Sequence, residues 1–466
     1  MQNLFLTVLF IAFCAMGSAA KAYCKKLCDV NWWQNASDAQ IIVALSRENI
    51  STVDSNGNTP LMFASALRDG PVIRAVIEAG ADPNAKNIFQ KSALHWAIDY
   101  ANYEALLSLR SSGADFSVKL LYGENEINLL AYALKKVGTI DLGKANKENK
   151  RAIIEHLVDA GVPLPPSIVF SQEVWLLEKI PFELDADFEI FNLDGETSLT
   201  FHSSGRPEQG VRALEKLISL GLDINGANKE SQSPLMKAVK NSSDSRLSIA
   251  SFLMDSGATV SQVDSEGMTA LMHLAVNVYA REDSIRSTAL KLLKNGANLD
   301  ARDFQGKSAL MHSVKENNIK LFGALIEVGA NPDFRDFKGK TALMMACENG
   351  HLDMVKQLIT SGSNINAIDK NGDTALLQAV SGGKPDLIAT LINAGAELNH
   401  ANKNGNTAIM KVAGFYSPEI VEILLEAGAE VSNINAKGQN ALDIARSNPK
   451  LNNTPAFWKI NDALFK

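Results

Sequence analysis

The chain has 466 residues, 46% of them apolar, with 45 Lys+Arg against 52 Asp+Glu. That apolar content is ordinary for a packed protein. A net charge of −7, with no basic stripe and no aromatic-plus-arginine platform in the sequence, argues against a nucleic-acid binder.

Residues 1–20 carry no charged side chain. Leu4 to Met16 is apolar and Gly17-Ser18-Ala19-Ala20 is a run of small residues, the pattern of a secretory signal cut after Ala20. The usual basic n-region is missing, and Lys21, Lys25 and Lys26 lie after the apolar run, so an uncleaved anchor is the alternative. The apolar core is shorter than the roughly 20 residues a span needs. The expectation is an exported chain, periplasmic or extracellular, without a membrane span after cleavage. Residues 21–36 form a distinct N-terminal cap, in which Trp32 and Trp33 are expected to cover the end of the stack that follows. Cys24 and Cys28 lie one helical turn apart and share a face. In an oxidising compartment they form a disulfide; two packed thiols are the alternative. Cys347 reads as a small buried thiol.

From residue 37 onward a unit recurs. Ile41, Ile42 and Leu45 read as the second helix of a truncated first copy. GNTPLMFAS at Gly57 and QKSALHWAI at Gln90 follow 33 residues apart, as do Gly80 and Gly113. The step from Gly113 to Gly161 is 48, and the polar run 138–149 is the obvious insertion. These copies fill residues 37–161. Residues 162–190 match worst: Pro163, Pro165, Pro166 and Pro181 interrupt any long helix, giving a degenerate copy or a joint. Copies resume over 191–440. Counted at the same turn position, the steps from Gly195 to Ser231, Gly267 and Gly306 are 36, 36 and 39. The extra residues fall between the two helices, near 204–209, 241–245 and 278–284. From there the period is strict. Gly306, Gly339, Gly372, Gly405 and Gly438 are 33 apart, and so are Gly296, Gly329, Gly362, Gly395 and Gly428. Residues 441–466 read as a closing half-copy with Phe457 and Trp458 as an aromatic lid.

One copy can be read physically. Thr341 is placed to cap a short helix through Ala342–Ala346, and Gly350 to end it. Leu352, Val355, Leu358 and Ile359 recur at helical spacing, so a second helix buries one stripe before Gly362. Asn371-Gly372 favours a tight turn. A 33-residue helix–turn–helix–hairpin unit with T-x-L-x-x-A resembles the ankyrin family. The family's usual histidine is replaced by Met62, Met236, Met272, Met311, Met344 and Met410, and only His95 keeps it. The resemblance implies an all-α ankyrin-repeat solenoid of about twelve units with N- and C-terminal caps.

Several constellations invite chemistry. Gly306-Lys307-Ser308 and Gly339-Lys340-Thr341 end like a phosphate loop, but Ala301 and Phe334 stand where its first glycine belongs, so both read as turns. The methionine column reads as core filling between copies. His273 and His312 occupy equivalent places but lack a third ligand, and no zinc spacing is present, so no metal or other cofactor is expected. No catalytic signature is present and no catalytic residue is assigned.

A surface remains. The residue two after the motif leucine is expected on the concave side. That row includes Phe63, Trp96, Tyr132, Phe201, His273 and His312. It is a partner-binding row or a packed one. Phe89, Phe304 and Phe337 sit at hairpin tips, either exposed for contact or folded onto the helices below. Ankyrin resemblance implies a non-catalytic scaffold that binds a protein through its concave face and tips. Bacterial proteins similar to this one begin with a signal and a cysteine-paired cap, which implies an envelope location. An exported toxin or effector with a cryptic enzymatic segment in 121–194, and a spacer without a dedicated partner, are the other readings.

Overall fold

A computed structural model describes residues 26–122, 125–137, 144–165, 168–169, 174–180, 195–203, 207–240, 243–415 and 417–465. Residues 1–20, read above as a cleavable signal, and Cys24 lie outside them, and so does the predicted Cys24/Cys28 pairing. The chain divides into two compact units, Met1–Ile168 and Val169–Lys466.

The strictly periodic copies fold as helix pairs joined by tight turns. In the copy at 341–362, the Thr341 hydroxyl accepts from the Met344 amide at 3.3 Å and starts the helix Ala342–Asn349. Such a cap contributes about 1 kcal/mol. Gly350 ends it with φ +81°, a left-handed conformation that costs glycine nothing. The second helix, Leu352–Thr360, buries Met354, Val355 and Leu358, while Leu352 and Ile359 flank that stripe half-exposed.

Copies stack through two rows of helices. In the second unit the first helices, from Ser198–Ser203 through Ala342–Asn349 to Ala441–Ser447, each pack on the next. The second helices, from Pro207–Ser219 through Leu352–Thr360 to Pro455–Leu464, do the same. The first unit repeats this with Pro60–Leu67, Ala93–Asp99 and Leu129–Val137 in one row. Its other row holds Gly70–Glu78, Tyr103–Ser111 and Lys144–Asp159. All six methionines of the column are buried between copies. Each such side chain contributes about 1.5–3 kcal/mol by leaving water. Buried asparagines lock neighbours together: Asn318 Nδ2 donates to the carbonyls of Asn277 at 2.7 Å and Ala275 at 3.1 Å. Those carbonyls end the preceding first helix and would otherwise lack partners.

The structure departs from the sequence reading in four places. Part of each insertion lengthens a second helix: Pro207–Ser219, Asp244–Asp255 and Glu282–Lys294 have 13, 12 and 13 residues, against 9 for Ile319–Glu327, while 278–281 stays outside the helices. Glu282 and Asp283 fall in the first turn, where negative charge suits the helix dipole. Likewise, part of the polar run 138–149 lies in the helix Lys144–Asp159. The mostly helical fold also contains a short hairpin, β1 (Lys119–Tyr122) antiparallel to β2 (Asn125–Asn128), with Leu120 opposite Ile127. Finally, the ends are helix pairs. Val30–Asn35 packs on Pro60–Leu67 and buries Trp33, whose Nε1 donates to Leu27 O at 2.8 Å. Pro455–Leu464 completes the last pair; it buries Phe457 and leaves Trp458 half-exposed.

Candidate functional site: the hairpin tips

Each tip is built around one Asp or Asn. Asp303 Oδ1 accepts from the amides of Gln305 at 2.9 Å and Lys307 at 2.8 Å. Asp336, Asp369, Asn402 and Asn435 repeat those two bonds in the next four copies. The short side chain closes the loop on itself and fixes its shape. Neighbouring tips are then joined by backbone bonds: Phe304 N to Glu266 O, Phe337 N to Gln305 O, Lys370 N to Lys338 O, Lys403 N to Asn371 O and Ala436 N to Asn404 O. All lie between 2.8 and 3.0 Å. Spacing and orientation of successive tips are therefore set before any partner arrives.

The row predicted for the concave side is largely inside, in keeping with the packed alternative for those residues. Phe63 is buried, edge-on to Trp96 at 5.4 Å. Trp96 is half-buried and stacks on Tyr100. Tyr132 is buried with its hydroxyl donating to Asp99 Oδ1 at 2.6 Å, beside Lys91 and Lys136. Phe201 is half-buried against His202. His273 and His312 are buried and turn back to their own tips: each Nε2 lies 2.8 Å from a carboxylate oxygen, Asp264 Oδ2 and Asp303 Oδ2 respectively. Gln378 makes the same contact to Asp369 at 3.3 Å. The physical reason is valence. The Asp uses one oxygen for the loop amides, and its second, buried oxygen needs a donor, which the first helix supplies.

Electrostatics follow. Burial pushes the Asp264 carboxyl up, but hydrogen bonds from His273 and the Met268 and Glu266 amides outweigh it, leaving the group below its ordinary value. Burial lowers the His312 pKa despite the opposing Asp303 carboxylate, so the ring is neutral at pH 7. His95 is buried and lowered to about 4, chiefly by desolvation and then by Lys91. Its Nδ1 accepts from the Ser92 amide at 3.1 Å, which puts the proton of the neutral ring on Nε2. Burial pushes the Cys347 thiol up to about 12, so it is no nucleophile.

The tip aromatics divide differently. Phe304 and Phe337 are 63% and 61% exposed, on adjacent tips. Each ring rests on the glycine of the preceding tip: a Cβ added at Gly267 would meet Phe304 Cδ1 at 2.7 Å, and one at Gly306 would meet Phe337 Cδ1 at 2.9 Å. They therefore touch the preceding loop with one edge and remain largely open to solvent. Phe89 is also exposed but stands one place further round its tip, since Ile88 occupies the position that packs on Gly57. Ile368 and Ile434 are further exposed apolar residues on later tips. The Asp/Asn closure is present in the sequence as a 33-residue recurrence, but the glycines of the same loops carry the louder signal and mask it.

A sequence-family model for ankyrin repeats (3 copies) matches residues 9–119, 208–303, 278–369, 310–402 and 376–454. The chain belongs to the ankyrin repeat family. Among curated relatives, neurogenic locus notch homolog protein 1 of Danio rerio is 33% identical over 115 residues, 22% of this ankyrin chain and 5% of that protein. The human neurogenic locus notch homolog protein 2 is 38% identical over 84 residues, 17% of this chain and 3% of that protein. The chain thus spans only a small fraction of those relatives. Among solved structures, the human ASB11 ankyrin repeat domain aligns at TM-score 0.42 and 22% identity, covering 50% of this chain and 98% of that one. The ankyrin repeat domain of Bcl-3 aligns at TM-score 0.42 and 28% identity, covering 50% and 99%.

Proposed function

We propose that this ankyrin chain is an exported, non-catalytic scaffold that captures a protein partner on the hairpin tips of its second unit. The observation that carries this reading is the pair Phe304 and Phe337, exposed side by side on loops whose geometry is already fixed. Rigid loops lose little conformational freedom on binding, so exposed rings there convert contact area into affinity efficiently. Ankyrin repeats are a protein-interaction scaffold type, in keeping with this role. Among the buried histidines, His273 and His312 are both engaged by carboxylates of their own copies, which suits structure better than catalysis.

The test is chemical crosslinking and capture from the compartment where the chain resides. Phe304→Ala with Phe337→Ala should sharply reduce the captured partner and leave the melting curve nearly unchanged. Undiminished capture by the double variant overturns the tip reading. Export rests on the uncharged, apolar character of residues 1–20, and a disulfide between Cys24 and Cys28 would accompany an oxidising compartment. A mature chain starting at Lys21, heavier after reduction by the mass of two hydrogen atoms, is the expected mass-spectrometric result. Retention of the leader in a cytoplasmic fraction rules export out.

A further inference from the structure

The strictly periodic tips carry a charge pattern that the sequence conceals. Within 302–307, 335–340, 368–373, 401–406 and 434–439 the acidic residues are Asp303, Asp336, Asp369 and Asp373, and all four are buried. Each is occupied inside: Asp303, Asp336 and Asp369 hold loop amides, and Asp373 faces Asn402 and Lys411. The exposed charges of those five tips are all positive: Arg302, Arg335, Lys338, Lys370, Lys403 and Lys437. No ion pair among the described residues engages Lys338, Lys370, Lys403 or Lys437, while Lys340 is held by Glu348. Asp300 and Asp333, at the base of the loops, accept from the Asn331 and Asn364 amides. One copy earlier the pattern ends, because Glu266 is exposed. A chain of net charge −7 therefore presents a positive edge, interleaved with Phe304, Phe337, Ile368 and Ile434.

We infer that this edge binds an extended acidic peptide segment bearing aromatic or aliphatic side chains. The inference rests on the tip reading above and adds the chemistry of the partner. Carboxylates match the lysine row, and like-charged surfaces are rejected by it. Apolar side chains of the peptide cover the two rings and the isoleucines. A nucleic acid would use the cations but leave Ile368 and Ile434 in water, so the peptide uses more of the surface. Adjacent repeats lie about 8–10 Å apart, so five tips span roughly 40 Å, the reach of about 12 extended residues.

Fluorescence anisotropy on the full mature chain tests this with a labelled peptide of three Glu-Asp-Phe-Gly blocks. The comparison probes are its Lys-Lys-Phe-Gly counterpart and an oligothymidylate of equal length. The acidic peptide should bind, more weakly as salt rises. Lys338→Glu, Lys370→Glu and Lys403→Glu together should weaken it by about tenfold or more, roughly what three surface charge pairs supply. Phe304→Ser with Phe337→Ser should weaken it without altering the circular dichroism. Equal binding by the charge-reversed protein, equal binding of the lysine peptide, or tighter binding of the oligothymidylate overturns the proposal. If the acidic peptide fails while crosslinked capture still depends on Phe304 and Phe337, the partner chemistry is wrong and the scaffold reading stands.

Discussion

At the scale of single residues, the tips show how one position serves two ends. Asp303 closes its loop with one oxygen and holds His312 with the other. Asp303→Ala should cost about 2–4 kcal/mol, since buried donors lose their acceptor. Asp303→Asn should cost less, because Asn402 and Asn435 make the same loop bonds. Urea denaturation of both variants checks the order. Glycines separate strain from crowding in the same way. Gly296 has φ +93° and open space around it, whereas a Cβ at Gly339, φ +79°, would meet the Lys370 amide nitrogen at 2.9 Å. Gly296→Ala should cost about 1–2 kcal/mol through strain alone. Gly339→Ala should cost more, because backbone cannot move aside. Equal losses would mean that the tips are looser than their hydrogen bonds imply. His95 gives a pH dependence. Its folded-state value of about 4 lies below the ordinary 6.5, so the unfolded chain takes up the proton first. Stability from this group is complete above pH 6.5 and falls as pH drops towards 4, by about 3 kcal/mol in all. His95→Gln keeps an acceptor for the Ser92 amide and should show a smaller loss between pH 7 and 4.5.

At the scale of elements, the column of methionines fills the gap between first helices. Met344 is almost fully buried in Ala342–Asn349, and Met344→Ala should cost about 2–4 kcal/mol by leaving a cavity. A calorimetric shift smaller than that of an exposed control such as Lys356→Ala would contradict the packing. Helix length varies where sequence was inserted. The longer second helices arise because a helix extension satisfies its own backbone bonds, while a longer loop would need partners for each amide. Successive copies still meet through their buried asparagines, as when Asn277 Nδ2 donates to Val239 O at 3.1 Å.

At the scale of the molecule, two units each hold their own stack. Leu94 lies in the first and Leu343 in the second, and both are fully buried. Nearest-neighbour stacks unfold locally, so destabilisation stays near its source. Amide exchange read by mass spectrometry should show Leu94→Ala accelerating exchange within residues 60–137 and Leu343→Ala within 309–414. Uniform acceleration along the whole chain in either variant would show a single cooperative body.

The sequence by itself determined the repeat, its helix pair, its caps and its glycine turns. Each of those depends on residues close together in the chain, and a strict 33-residue period repeats the evidence in every copy. It could not decide which way Phe63, Tyr132, His273 and His312 faced, because that depends on a hydrogen-bond partner or ring in another part of the copy or its neighbour. It gave no sign of a positive edge, since lysines 32 to 34 residues apart are strangers along the chain. Only stacking brings them into one row, and only the inward turn of Asp303, Asp336 and Asp369 leaves that row without its counter-charges.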